Sequence, residues 1–205
     1  MVASTFETAA DAIVAVGRAF DVRGWAPATS GNYSVRLEDG SFAVTVSGWH
    51  KGRLTRDGVM RVDARGASLD GKRPSAETAL HLSLYRRFPE VGAVLHSHSP
   101  QAVALSRVLR DDWTIRGHEL GKAFPGVTTH LAEIIVPVVE NSQDMGDIDA
   151  AIASRLAGLP PPAYLIRGHG LYGWGADIAE AERVIEATEW LAACEVAERS
   201  MRRDA

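Results

Sequence analysis

Two histidines stand one residue apart in Val91-Gly92-Ala93-Val94-Leu95-His96-Ser97-His98-Ser99-Pro100, at the end of a short apolar run of strand type. Side chains on a strand alternate with period two, so His96 and His98 face the same side. Neutral imidazole is the commonest metal ligand, and a pair aimed at one point is half of a zinc or iron site. A hydrogen-bonded surface pair is the plain alternative. A third histidine, His169, stands between glycines in Arg167-Gly168-His169-Gly170 just past another strand-like run, where backbone can approach a ligand closely. Three imidazoles with a fourth position open make a catalytic rather than a structural metal site. The separation of His98 from His169 has no motif value, so His50, His118 and His130 stay open as alternatives for the third ligand.

Two loops of small residues, Ala28-Thr29-Ser30-Gly31-Asn32-Tyr33-Ser34 and Ser47-Gly48-Trp49-His50-Lys51-Gly52, carry hydroxyls and unencumbered backbone N–H groups. Such loops suit an anion, and Lys51 adds charge. Gly-Asn and Ser-Gly are also ordinary turn dipeptides, so either loop alone reads as a turn. Pro74-Ser75-Ala76-Glu77 puts a hydroxyl and a carboxylate at a helix start, where the dipole favours negative charge. Glu119, in Gly117-His118-Glu119-Leu120-Gly121, is a second carboxylate that on its own reads as solvated surface.

These groups need a scaffold to bring them together. Ser4 and Glu7 form a capping box ahead of a helix to about Val22, with Gly24 ending it. Asn32–Leu37 and Ser41–Val46 flank an Asp39-Gly40 turn as a β-hairpin, and Val59–Val62 is a further strand. A helix spans Ser75–Phe88, with Glu77 and His81 four apart on one face. Ser99-Pro100 caps and starts a helix to about Val108. Glu133–Val138 is a strand in which Pro137 marks an edge or an end. Helices Ile148–Leu156 and Ile178–Ser200, the latter opened by Asp177 and Glu180, bracket Ala163–Ile166 as the last strand. The pattern predicts one α/β domain over residues 1–205, with helices covering a mixed or antiparallel sheet, and Pro160-Pro161-Pro162 is too short to separate domains.

Composition narrows the function classes. The chain has 205 residues, 46% of them hydrophobic and 23% charged, close to globular averages. A net charge of −4 and no basic cluster beyond Arg202-Arg203 argue against nucleic acid and for a small-molecule partner. The apolar runs are too short for a membrane span and the N-terminal residues lack signal-peptide character, so the expected location is the cytoplasm. One cysteine, Cys194, excludes a disulfide within the chain and reads as a small buried hydrophobe.

Five motifs in register resemble the class II aldolase and adducin-head family, and most closely its branch that dehydrates methylthioribulose 1-phosphate. They are Gly24–Asn32, Ser47–Gly52, Pro74–Thr78, His96-Ser97-His98 and Gly168–Gly175, and together they cover nearly the whole chain. The resemblance implies a central, mainly antiparallel sheet flanked by helices. It implies one zinc ion per subunit held by His96, His98 and His169, and phosphate binding by Asn32, Ser47, Gly48 and Ser75, to which Lys51 is a reasonable addition. It also implies a fourfold homotetramer with active sites near subunit boundaries, acting on a phosphorylated ketose. Two carboxylates compete for proton transfer: the position of Glu77 serves it in the sugar-phosphate aldolases, that of Glu119 in the dehydratase branch. Glu119 is the expected acid-base group here, with Glu77 auxiliary or a resting-state zinc ligand. Trp49, Phe124 and Tyr172 are candidates for the methylthio end or for packing. The implied alternatives are a zinc sugar-phosphate aldolase or epimerase and a non-catalytic adducin-like interaction module.

Overall fold

A computed structural model describes residues 4–156 and 163–203, so Pro160–Pro162 lie outside it. Helix α1 is Phe6–Val22, and its N-cap is Thr5, whose hydroxyl accepts from the Thr8 N–H at 3.3 Å. The expected Ser4–Glu7 capping box therefore does not start the helix. The Ser4 carbonyl is engaged elsewhere, accepting from the Glu38 N–H at 3.2 Å.

Strands β1 (Asn32–Arg36) and β2 (Phe42–Thr45) form the expected hairpin, which β3 (Val59–Val62) extends. Helix α2 is Thr78–Arg87, starting one turn later than the apolar spacing suggests. Strand β4 (Ala93–Ser97) pairs with β1 so that Asn32 lies opposite His96. Ser99 then accepts from the Ala102 N–H as N-cap of α3 (Pro100–Val108). The predicted strand Glu133–Val138 breaks at Pro137 into β6 (Ile134–Val136) and β7 (Val138–Val139). β6 pairs with β5 (Trp113–Ile115), a strand that sequence reading missed, in a small separate sheet. Helix α4 is Met145–Arg155, β8 is Ala163–Ile166, and α5 is Ile178–Arg203, with Cys194 half-buried on it.

Ala163–Ile166 is not the last strand, because β9 (Gly170–Gly175) follows it. Three glycines in six residues disguise this strand as a loop. Their smallness has a packing reason: a Cβ on Gly173 would sit 2.8 Å from Ile185 of α5.

The main sheet runs β3-β2-β1-β4-β9-β8-β7, antiparallel throughout except for β7–β8. Period-two alternation splits each central strand between two cores. Tyr33, Val35, Leu95, Leu165 and Leu171 join one core with α1, α3 and α5, while Val94, Tyr164, Tyr172 and Trp174 join the other with α2 and α4. The result is an α/β fold of three layers in which β4 and β9 lie at the middle of the sheet. No helix among the described residues is long and apolar enough to cross a membrane.

The end of β4 is fastened from the α5 side. Ser97 Oγ donates to Glu189 Oε1 at 2.5 Å, and Ser99 Oγ donates to Glu189 Oε2. Glu189 is 3% exposed, and burial raises its carboxyl pKa against the opposing pull of the two serines. Both serines flank His98, so one carboxylate pins the segment that carries two of the three histidines. Glu189→Ala leaves two buried hydroxyls without their acceptor and should destabilise the fold by about 1–3 kcal/mol for each. Glu189→Gln, which keeps one acceptor, should lose less. Urea denaturation midpoints at constant slope measure both, and a wild-type midpoint for Glu189→Ala would contradict the clamp.

Candidate metal centre

His96 leaves β4 on the α2 face, His98 lies just past the strand end, and His169 sits in the turn between β8 and β9. Their ring centroids are 4.4, 5.0 and 5.1 Å apart, and one nitrogen from each lies within 4.8 Å of the others. This is the set of histidine, cysteine and acidic side chains among the described residues whose spacing would hold a metal ion. The three alternatives lie against other partners: His50 beside Asp21 at 3.9 Å, His118 beside Glu198 at 3.8 Å and His130 beside Glu119 at 3.8 Å.

Close backbone contacts make the convergence possible. A Cβ on Gly170 would lie 2.3 Å from the Ser97 carbonyl and 2.8 Å from the His96 ring. Gly31, at φ +78°, brings its loop against the His96 carbonyl, where a Cβ would lie at 2.9 Å. The His98 N–H donates to the Trp25 carbonyl at 2.7 Å, tying the same segment to the chain after α1.

Hydrogen bonding sets the chemistry of His96. Its Nδ1 lies 2.9 Å from the Leu171 carbonyl, which can only accept, so Nδ1 carries the proton. Burial holds the ring far below the usual imidazole pKa, leaving it neutral. Nε2 is then a bare lone pair, fully buried and without a hydrogen-bond donor. It faces Glu77 Oε2 at 3.2 Å, while Glu77 Oε1 lies 3.3 Å from His169 Nε2. Two electron-rich atoms at that separation call for a cation between or beside them. Burial also lowers His98 to about 4, so it offers a neutral ring at physiological pH. A backbone carbonyl that orients a ligating imidazole is the usual support of a metal site, and a set of imidazoles with a carboxylate suits a divalent ion.

Glu77 occupies the N-cap position of α2, and its carboxylate, which makes no cap bond to the helix, turns to the histidines instead. Its Oε2 accepts from Asn32 Nδ2 at 2.9 Å and from Tyr172 Oη at 2.6 Å. Burial works against its charge, but hydrogen bonds from His169, Tyr172 and Asn32 keep its carboxyl well below the ordinary range. Tyr172 also stacks on His96, with ring centroids 4.0 Å apart, and on Tyr164 at 4.8 Å. Tyr172 is thus part of the centre through its hydroxyl and buried through its ring. Phe124 belongs to the core, and half-buried Trp49 packs against it.

The expected anion loops are tied to one another. Val46 pairs with Pro74 in an isolated bridge, the Ser47 N–H donates to the Arg73 carbonyl at 3.0 Å, and Ser75 Oγ accepts from the Glu77 N–H at 3.3 Å. Gly48 turns at φ +79° on an exposed tip. Lys51 is only 2% exposed, and its Nζ donates to the carbonyls of Thr29 at 2.9 Å and Trp49 at 2.7 Å, joining the two loops. Burial lowers its pKa to about 8.

Glu119 stands apart. It lies in a short 3-10 turn with its side chain 72% exposed, paired with Lys122 at 2.6 Å. Its neighbour His118 meets Glu198 on α5, nine residues and roughly 13 Å of helix beyond Glu189, the residue beneath the histidine segment. Within one chain the structure gathers Glu77, and not Glu119, with the histidines. Sequence reading missed Tyr172 as a partner of Glu77, and missed Ser34 and Tyr85, which lie behind His81. The signal was available in the spacing: Glu77, His81 and Tyr85 fall four apart along one face of α2.

The family described as Class II Aldolase and Adducin N-terminal domain matches residues 11–196. A methylthioribulose-1-phosphate dehydratase from Methylococcus capsulatus is 50% identical over 91% of this chain and 92% of its own length. One of the same name from Pseudomonas paraeruginosa is 50% identical over 90% of this chain and 91% of its own. Among solved structures, L-fuculose-1-phosphate aldolase from Thermus thermophilus superposes with a TM-score of 0.76 at 28% identity, covering 94% of this chain and 95% of the other. The chain belongs to the class II aldolase and adducin N-terminal domain family.

Proposed function

We propose that this protein is a zinc-dependent hydro-lyase that converts 5-methylthioribulose 1-phosphate to 2,3-diketo-5-methylthiopentyl 1-phosphate, a dehydration in methionine salvage. The observation that carries the reading is half identity, over nine-tenths of the chain, to proteins named for that reaction. The three converging imidazoles supply the centre such a reaction needs. His96, His98 and His169 would hold the zinc ion, which when bound supplies a Lewis acid that polarises the ketose carbonyl and makes the neighbouring C–H acidic.

The protein's own groups do the rest. The tied loops of Ser47, Gly48 and Ser75 hold the phosphate through backbone N–H and hydroxyl groups, with Asn32 at their edge. Lys51 draws the loops together and adds positive field. A carboxylate removes the proton at C3, and the hydroxyl at C4 departs as water after accepting a proton, so the net loss is one water. The resulting enol tautomerises to the diketone.

Glu119 is the acid-base group of this proposal and Glu77 its auxiliary. Since Glu119 is exposed on its own chain and paired with Lys122 rather than with the histidines, it acts from another copy of the chain in a homotetramer. The enzyme works in the cytoplasm on a small phosphorylated ketose, without nucleic acid or membrane.

Zinc-loaded protein incubated with methylthioribulose 1-phosphate should give a product lighter by one water, read by mass. Release of an aldehyde and dihydroxyacetone phosphate would mark an aldolase instead. Alanine at His96, His98 or His169 should abolish both stoichiometric zinc and turnover, and zinc retained by all three variants would refute the ligand set. Glu119→Gln should keep zinc and lose on the order of 10²- to 10⁴-fold in kcat. Mixed assemblies of Glu119→Gln and His98→Ala chains should regain part of the activity that each lacks. Absence of recovery from mixing, once exchange of chains is verified, would place Glu119 outside the reaction across subunits.

A further inference from the structure

Asn32 enters as a phosphate ligand, yet both ends of its amide are already engaged inside the protein. Alternation along β1 sends Asn32 and Ser34 to the sheet face that α2 covers, where Glu77, His81 and Tyr85 descend in steps of four. The two rows interlock. Tyr85 Oη lies 2.9 Å from Ser34 Oγ, and Ser34 Oγ lies 2.7 Å from His81 Nδ1. His81 Nε2 meets Asn32 Oδ1, and Asn32 Nδ2 donates to Glu77 Oε2 at 2.9 Å. Ser34, His81, Tyr85 and Asn32 are all buried, His81 to 1% exposure.

The direction of every bond in this chain follows from its last member. An ionised carboxylate only accepts, so Asn32 must turn its NH2 group to Glu77 and its carbonyl to His81. That carbonyl also only accepts, so His81 carries its proton on Nε2. Burial takes His81 down to about 4, so the ring is neutral and Nδ1 is bare. Ser34 donates its hydroxyl proton to Nδ1, and Tyr85 donates to the Ser34 oxygen. The run is polarised from Tyr85 to Glu77, and each donor fixes the next group's orientation.

We propose that His81 is a positioning residue: Ser34 holds it as the Nε2–H tautomer, which locks the Asn32 amide with its N–H aimed at the Glu77 carboxylate. This rests on Glu77 serving the metal centre. In the other tautomer Nε2 would be an acceptor, the Asn32 amide would turn over, and its carbonyl oxygen would press on the carboxylate. Glu77 would then lose a donor and gain a repulsion at the atom that lies 3.2 Å from His96 Nε2. Asn32 is on this account a bracket for Glu77, and the phosphate is held by the loops beyond it.

The test pairs long-range ¹H–¹⁵N NMR of the metal-loaded full chain, labelled with ¹⁵N-histidine, with kinetics of Ser34→Ala and Tyr85→Phe. One ring should be protonated at Nε2 alone and stay so across about pH 6 to 8, where a free histidine titrates. Its resonances should move in Ser34→Ala. That variant should lose on the order of tenfold in kcat, the scale of one buried hydrogen bond, with KM and bound metal unchanged. Tyr85→Phe, which leaves the Ser34 proton free to donate, should lose less. If the ring whose resonances move in Ser34→Ala titrates in that range or is protonated at Nδ1, or if Ser34→Ala keeps wild-type kcat, the proposal is overturned. A raised KM with intact kcat also overturns it, since Asn32 would then be working on the phosphate. The NMR reads the ring without turnover, so it stands even if the dehydration assay fails.

Discussion

A bare imidazole nitrogen and a carboxylate oxygen repel each other in a protein interior unless positive charge is shared between them. His96 Nε2 and Glu77 Oε2 are held in that relation at 3.2 Å, with His96 fixed in its tautomer by the Leu171 carbonyl and Glu77 fixed by Tyr172 and Asn32. Both groups are held in place, the ring by stacking on Tyr172 and the carboxylate by the donors of Tyr172 and Asn32. The three-layer fold builds and maintains this electrostatic demand. His96, His98 and His169 are spaced so that they could hold a divalent cation that would satisfy it.

The fold meets the demand by placing the centre where its most constrained strands meet. β4 and β9 are interior strands, and their ends carry His96, His98 and the turn of His169. From one face of the sheet α5 reaches Ser97 and Ser99 through Glu189, and from the other α2 reaches Asn32 and Ser34 through Glu77 and His81. The polar groups of the site are therefore anchored from both layers, between the two apolar cores. Preorganisation of this kind keeps ligands aimed at a metal without requiring reorganisation when substrate arrives.

Much of this was legible in the sequence because it is local. Strand period two placed His96 with His98, and Ser99-Pro100 announced α3 in the right place. The hairpin around Asp39-Gly40 followed from turn chemistry alone. What escaped was set by long-range packing. β9 hides behind glycines whose purpose is contact with α5 and β4, and the break at Pro137 shows only once β6 and β7 are seen to join different sheets. The α1 cap moved from Ser4 to Thr5 because the Ser4 carbonyl serves Glu38, a contact no local pattern encodes. At the site, the family resemblance supplied the three histidines together. It could not say that Lys51 is buried as a tie between loops, or that Glu119 lies on the exterior of its own chain.

The central claim is that three side chains distant in sequence close around one ion. X-ray absorption at the zinc edge of the loaded protein tests it most directly. The account predicts a first shell containing three imidazole nitrogens at about 2.0–2.1 Å, completed by oxygen, and the loss of one imidazole in His169→Ala. A shell of oxygen alone, or one unchanged when His169 is replaced, would contradict it.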